Sequence, residues 1–328
     1  MNEYILAAIV TYGEIERFDH LKKGIERLNS VDAISKIIII DNGSKYDVQT
    51  MISQLNIEVP IDFYHNDKNE GSAGGFGQVF EISRREENYT RLLILDDDSL
   101  LGNEALKSIF DYEKNTNMKG RYIWSLYRPV KYPDNFKKDW DWNEQYLNNR
   151  IVGISIQQQL FGKAQKTNRK HKDMAELLYA PYAGMLISKD IVDSDFYPDR
   201  SYYLYVDDID YSIQLKKSKI NIFQIEEAKI EDLEGSWGTK KHGMQSYFGN
   251  EGNEFRYLYN VRNWIFMIKN QGYIYSNTIF RVNLILYHIL ALVTMPKNKK
   301  GLIKYKRLRI AIKDGLSGNM GYKANYFV

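Results

Sequence analysis

The apolar run Leu92 to Leu95 stops at three adjacent carboxylates, Asp96, Asp97 and Asp98, within the stretch LLILDDDSL. Neighbouring acids at the end of a buried strand repel one another unless a cation or hydrogen-bond donors answer them. The stretch reads as half of a divalent-metal site; the alternative is a solvated acidic turn from which Ser99 begins a helix. Similar runs recur. Tyr4 to Thr11 and KIIIIDNGS from Lys36 are apolar with polar ends, a short strand is expected at Ile61 to Tyr64, and Ile15, Leu21, Ile25 and Leu28 have helical spacing between the first two runs. Strands buried on both faces and alternating with helices predict an α/β fold with a mostly parallel sheet. Ligands of such sheets bind beyond the carboxyl ends of the strands. The polar clusters are expected there: Thr11, Asp41 to Ser44, Asn69 to Gly77 and Asp96 to Asp98.

The glycine-rich stretch NEGSAGGFG predicts a loop ahead of a helix from about Gln78, whose amides and helix dipole can receive an anion. It is not a dinucleotide fingerprint, which belongs in the first strand-helix turn with different spacing, and no P-loop motif occurs. A second acidic cluster, Asp207, Asp208 and Asp210, follows the apolar run Tyr202 to Tyr205, read as a possible strand. If the segment beyond is helical, Asp207 and Asp210 share a face and Asp208 points elsewhere. One of these acids is a candidate general base, and helix-dipole complementarity is the competing reading. Among only five histidines, His242 lies between glycine-flanked loop residues downstream of this cluster and is a candidate ligand for an Mn²⁺-like ion.

Lys plus Arg number 45 against 42 for Asp plus Glu, a balance that argues against a nucleic-acid binder. Cysteine is absent, which excludes disulfides, thiolate metal sites and a cysteine nucleophile. MNEYILAAIVTYG lacks the basic leader and long apolar region of a signal peptide and reads as a first buried strand. The 26 tyrosines suit a sugar-binding cleft or an interface. Arg128 to Asp173 is polar and aromatic with little period, and is read as an acceptor-side insertion. Ile220 to Ile225 is expected as an edge strand.

From Phe255 the pattern is helical. Ile279 to Met295 is apolar but interrupted by Arg281, Asn283 and His288, so a packing or interfacial helix is expected rather than a membrane span. Lys297 to Lys313 carries eight cations and no acid, a pattern that fits attraction to anionic lipid or a solvated helical face.

In order and spacing, AAIVTYG, IIIIDNGS, NEGSAGGF, LDDDS, AGMLIS and VDDIDYSIQL, with a late His-Gly, resemble family 2 glycosyltransferases of the GT-A fold, which are inverting nucleotide-sugar enzymes. GSAGGF, the triple Asp and D-D-x-D-Y are most similar to the bacterial galactofuranosyltransferase branch, with rhamnosyltransferases as near neighbours. FRYLYNVRN and KDGLSGNMG are similar to the tails of such enzymes. The resemblance implies a GT-A domain over 1–250, with a nucleotide-binding half at 1–127 and an acceptor half at 128–250. A helical extension with a basic tail follows at 251–328.

It further implies that Thr11 and Asp41 contact base and ribose, and that Asn69, Gly71, Gly74 and Gly75 lie near the nucleotide and donor sugar. Asp96 and Asp98 are then the acids of D-x-D and metal ligands with His242, and Asp96 also borders the ribose. Asp97 lies at the nucleotide with its side chain turned from the metal, so Asp97→Asn is expected to be milder than Asp98→Asn. Gly184 and Met185 line the donor pocket, Asp208 is the catalytic base, and Trp140, Tyr182, Asp207 and Trp237 are acceptor-side candidates. The implied cofactors are Mn²⁺ or Mg²⁺ and a UDP-sugar or dTDP-sugar donor; the implied acceptor is a glycan or lipid-linked glycan. A cytoplasmic place at the inner membrane face and a possible homo-oligomer complete the expectation. A sugar-phosphate nucleotidyltransferase and a non-catalytic carbohydrate- or membrane-binding protein remain the competing classes.

Overall fold

The computed structural model describes residues 3–131, 136, 140–171, 173–234, 243–249 and 254–327. In chain order the strands are β1 Ile5–Thr11, β2 Ile34–Asp41, β3 Ile61–His65, β4 Arg91–Asp96, β5 Ser99–Leu101, β6 Tyr122–Ser125, β7 Trp140–Trp142, β8 Lys166–Asn168, β9 Met174–Glu176, β10 Met185–Ser188, β11 Asn221–Ile225 and β12 Ile230–Asp232. The helices are α1 Phe18–Asn29, α2 Val48–Ser53, α3 Gly71–Arg85, α4 Ala105–Thr116, α5 Ile156–Phe161, α6 Lys189–Val192, α7 Asp207–Lys217, α8 Met244–Gly249, α9 Glu254–Asn270, α10 Asn277–Thr294 and α11 Lys299–Ser317.

Eight strands form one sheet in the order β3-β2-β1-β4-β10-β6-β11-β9. Strands β3, β2, β1 and β4 are parallel, as are β6 and β11, whereas β10 runs antiparallel to both of its neighbours. The sheet is therefore mostly parallel with helices on both faces, a GT-A-type α/β architecture. The period-two alternation divides the core: Ile5, Ala7 and Ile9 pack with Leu21, Ile25 and Ile109 on one face, and Leu6, Ala8 and Ile94 with Phe76, Phe80 and Tyr211 on the other.

Four local expectations change. Ile220 to Ile225 is not at the edge, because β9 closes that side and β11 lies between β6 and β9. Ser99 starts β5, which pairs with β12, rather than a helix. The glycine-rich stretch is not a loop: α3 begins at Gly71, and its glycines let the helix lie close to its neighbours. A Cβ on Gly75 would come within 2.7 Å of Val10 Cγ1, and Gly71 has φ +75° with the Tyr203 carbonyl where a Cβ would stand. Tyr202 to Tyr205 is not a strand either but an irregular loop, described below.

A third core joins the insertion to the last helices. Leu147, Ile151, Tyr202 and Val206 pack with Leu258, Ile265, Tyr287 and Leu308. The polar residues of α10 belong to this joint. Fully buried Asn283 donates to the Asn149 carbonyl at 2.8 Å and accepts from the Ile156 amide at 3.1 Å. Helix α10 has the length and composition of a membrane span, with mean hydropathy 1.4, but 22% of it is buried, along the face that carries Asn283. One such helix is a weak sign of a membrane crossing, because core helices share these features.

Candidate active site

The register of the parallel strands sets Thr11 beside Asp41 and Val10 beside Asp96, so three expected polar positions meet at the carboxyl end of the sheet. Because β10 is antiparallel, its start lies beside the end of β4, and the Gly184 amide donates to the Ile94 carbonyl at 2.8 Å. Gly184 takes φ +89° there. Met185 is fully buried in the sheet layer that faces α3 and offers no side-chain surface to a ligand.

The three acids after β4 have different surroundings. Asp97 is 5% exposed; it accepts from Thr11 Oγ1 at 2.7 Å and from Arg17 Nε at 3.3 Å, and pairs with Arg17 Nη2. Arg17 continues to Glu234 at 2.6 Å. Asp96 is half-buried, and burial, with Asp98 beside it, pushes its carboxyl up to about 6. Thr11 is thus engaged with Asp97, and Asp41 is buried between the Ser44 amide at 2.8 Å and His65 Nδ1 at 2.8 Å.

The second cluster opens α7, with the facing that helical spacing dictates. Asp210 is buried and accepts from Gln214 and Gln271, each at 2.8 Å, so it is a structural acid. Asp207, 2% exposed, accepts from Ser72 Oγ at 3.3 Å, and its Oδ2 has no partner among the described residues. Burial, and then Asp208, push the Asp207 carboxyl well up. Asp208 is half-buried; its Oδ1 accepts from the Ile209 amide at 2.8 Å, and burial holds its carboxyl at about 6 against that bond and the cations Lys131 and Arg128.

Those two cations link the clusters. Lys131 interacts electrostatically with Asp96, Asp98 and Asp208, and Arg128 with Asp96 and Asp208. Arg128 is buried and pairs with Asp232 on β12. Neither cation was singled out in the sequence, although both follow the carboxyl end of β6, where the same rule places ligands. Asn42 lies within the expected Asp41 to Ser44 cluster but was given no role of its own. Its amide donates to the Gly71 carbonyl at 3.0 Å, and its Oδ1 accepts from the Glu70 amide at 3.2 Å, fixing the start of α3.

The start of α3 does not form the expected open anion cradle. The Gly71 amide is taken by Asn69 Oδ1 at 2.7 Å and the Ala73 amide by the Tyr203 carbonyl at 3.2 Å; Gly74 and Gly75 are buried within the helix. Tyr182 is buried with its ring 4.7 Å from that of Phe76, and its hydroxyl has no partner among the described residues. Trp140 sits outside the main sheet in the β7–β8 ribbon, against Trp142 and Lys166. Trp237 and His242 lie outside the described residues. Among the described residues no group of three or more acids or imidazoles could hold a metal ion. Asp96 and Asp98 nevertheless offer the hard oxygen donors that Mg²⁺ and Mn²⁺ take.

The loop ahead of α7 is the least regular part of the site. Tyr203, Tyr205 and Val206 have φ of +63°, +67° and +70°, a costly region for side chains of this kind, of order 1–3 kcal/mol each. Tyr203, with ψ −58°, is the centre of a γ-turn closed by the Leu204 amide on the Tyr202 carbonyl at 2.8 Å.

A mostly parallel sheet flanked by helices, with Asp96 to Asp98 at the carboxyl end of β4, is an arrangement of the GT-A type. The family model Glycosyl transferase family 2 matches residues 7–193, more than half of the chain. The chain belongs to glycosyl transferase family 2 and is a glycosyltransferase, which sets aside the nucleotidyltransferase and binding-protein readings. Among solved structures it is similar to S. aureus TarS 1-349, with a TM-score of 0.50, 10% identity and coverage of 96% of this chain and 92% of that one. It is also similar to GalNAc-T7, solved with UDP, GalNAc and Mn²⁺, with a TM-score of 0.53 and 10% identity over 82% of this chain and 49% of that chain. No curated protein matches the sequence significantly.

Proposed function

We propose that this chain is an inverting transferase that moves a sugar from a nucleotide-diphosphate donor to a glycan or lipid-linked acceptor, with Asp208 as general base. The observation that carries this reading is the placement of Asp96 at the carboxyl end of β4 and of Asp208 at the start of α7, with Lys131 in electrostatic reach of both. Asp208, buried enough to be held at about 6, takes the proton of an acceptor hydroxyl as that oxygen attacks the anomeric carbon. One displacement from the side opposite the leaving diphosphate inverts the configuration. Lys131 and Arg128 place positive charge where the diphosphate departs, and Thr11 and Asp41 border base and ribose. Asp96 and Asp98, with His242, would hold a divalent cation, which supplies Lewis-acid neutralisation of the departing diphosphate. The donor proposed from GSAGGF, the triple Asp and D-D-x-D-Y is UDP-galactofuranose, with dTDP-rhamnose second; screening nucleotide sugars for acceptor-dependent nucleotide release tests the choice. Turnover of neither donor, but of another, would remove the branch assignment.

The raised carboxyls make a stability prediction. Between about 4 and 6 the unfolded chain has lost protons that Asp96 and Asp208 still hold in the fold. Their contribution to stability is therefore present at low pH and lost as pH rises through about 6. Mn²⁺ in large excess over its Kd is expected to raise the melting temperature by roughly 5 °C at pH 7.5 and far less at pH 5. Equal responses at both values would remove the cation from this site.

The last helices support association with anionic membrane at the cytoplasmic face. Val282, Ile285, Ile289 and Val293 form one exposed stripe on α10, opposite buried Phe280, Asn283, Tyr287 and Ala291. Beside it lie exposed Lys297, Lys299, Lys300, Lys306, Arg309 and Lys313, while Lys304 turns inward to Glu254 at 2.7 Å. Pairing this face with its own copy would oppose like charges, whereas anionic lipid answers them at about 1 kcal/mol per cation. Ile285→Ser with Ile289→Ser and Val293→Ser is expected to abolish flotation with phosphatidylserine vesicles without changing soluble-acceptor turnover. A dimer that dissociates in this variant would point to self-association instead.

A further inference from the structure

Two adjacent residues of α9, Arg262 and Asn263, are fully buried although both are strongly polar. Among the described residues, four of their six side-chain hydrogen bonds go to one loop. Asn263 Nδ2 lies 3.0, 2.7 and 2.8 Å from the carbonyl oxygens of Tyr202, Leu204 and Tyr205. Arg262 Nη2 donates to the Tyr202 carbonyl at 2.7 Å, Nη1 to the Gly321 carbonyl at 2.6 Å, and Nε to Asn263 Oδ1 at 2.7 Å, which fixes the orientation of the amide. The loop so held contains the three left-handed residues and leads directly into Asp207 and Asp208. On its other side the Tyr203 carbonyl accepts from the Ala73 amide, and Gly71 makes room for that approach.

Side chains such as Tyr and Val leave the left-handed region when nothing holds them there. Convergent carbonyls also repel one another unless a donor stands between them. From these two facts and the bonds above we infer that Arg262 and Asn263 are positioning residues for the transfer reaction: they hold the Tyr202–Val206 loop in its strained form and so set the direction in which α7 presents Asp208. Neither residue touches the reacting atoms. The C-terminal helices therefore belong to the catalytic apparatus through this clamp, independently of any role at a membrane.

The inference rests on Asp208 being the base, and its test separates the two ideas. In the full-length protein, Asn263→Ala is expected to lower kcat by about 30- to 100-fold, with donor KM and nucleotide affinity changed less than about threefold, as for a displaced catalytic group. Amide hydrogen exchange over residues 203–209 rises in the same variant. Val206→Gly, which adopts φ +70° without strain, lowers the melting temperature on its own through lost packing. Placed in the Asn263→Ala background it recovers at least about tenfold of kcat, because the loop no longer needs holding. Asn263→Ser, with a single donor, falls between wild type and Asn263→Ala and serves if the alanine variant does not fold. Unchanged exchange over 203–209 would overturn the clamp, as would parallel losses of kcat and nucleotide affinity without recovery by Val206→Gly. Increased exchange together with an active Asp208→Asn enzyme would leave the clamp standing and remove the base.

Discussion

Asp208→Asn is expected to reduce transfer to the acceptor by roughly 10²- to 10⁴-fold while nucleotide affinity stays within about threefold. The asparagine carbonyl can still accept from the Ile209 amide, the bond that now orients Asp208 Oδ1, so the start of α7 keeps its shape. What is lost is the ability to take a proton. Initial rates against acceptor, with nucleotide titration in parallel, read both quantities, and a variant that keeps full activity would end the base assignment. The wild-type profile carries the same signature. Because Asp208 accepts a proton only when ionised and is held at about 6, kcat/KM falls as pH drops through about 6.

The second large effect is a division between neighbours. Asp98→Asn is expected to cost at least about 10²-fold in metal-supported activity, with stability little changed, because it removes the negative charge of a proposed metal ligand whose side chain is 21% exposed. Asp97→Asn is expected to do the reverse: stability falls by about 1–3 kcal/mol, since Arg17 loses its buried carboxylate partner and keeps only the more exposed Glu234 and Asp98, while the Mn²⁺ concentration for half-maximal rate stays within a few-fold. Denaturant melts and metal titrations of the two variants give the comparison. The mild outcome expected for Asp97 from the D-x-D pattern thus applies to metal response alone. Its side chain is turned from the acids toward Thr11 and Arg17, and there it secures the first strand-helix connection.

Much of this was legible because apolar runs report burial directly. Ile5–Thr11, Ile34–Asp41 and Arg91–Asp96 are strands whose carboxyl ends carry Thr11, Asp41 and Asp96, and that gave the fold and one wall of the cleft. The facing of Asp207 and Asp210 came from helical spacing alone. Glycine was misread because a flexible residue and a close-packing residue look the same in one sequence: Gly71 to Gly77 open α3 instead of preceding it. Tyr202 to Tyr205 looked like a strand because it is apolar, whereas its backbone is set by donors about sixty positions away, which no local pattern records. The antiparallel turn of β10 was equally invisible, since strand direction depends on the path of the connection and not on side-chain pattern.

The separation between the held loop and its holder also has a bearing on timing. Tyr202 precedes Arg262 by 60 residues, and Arg262 in turn waits 59 residues for the Gly321 carbonyl. During synthesis the sheet can assemble while these later segments have yet to be made, because its strands all lie before Ile230. On the inferred clamp, a nascent chain halted between β11 and α9 has its sheet strands but lacks the donors that hold the Tyr202–Val206 loop, so the loop is fixed in two stages, at Arg262 and Asn263 and then at Gly321.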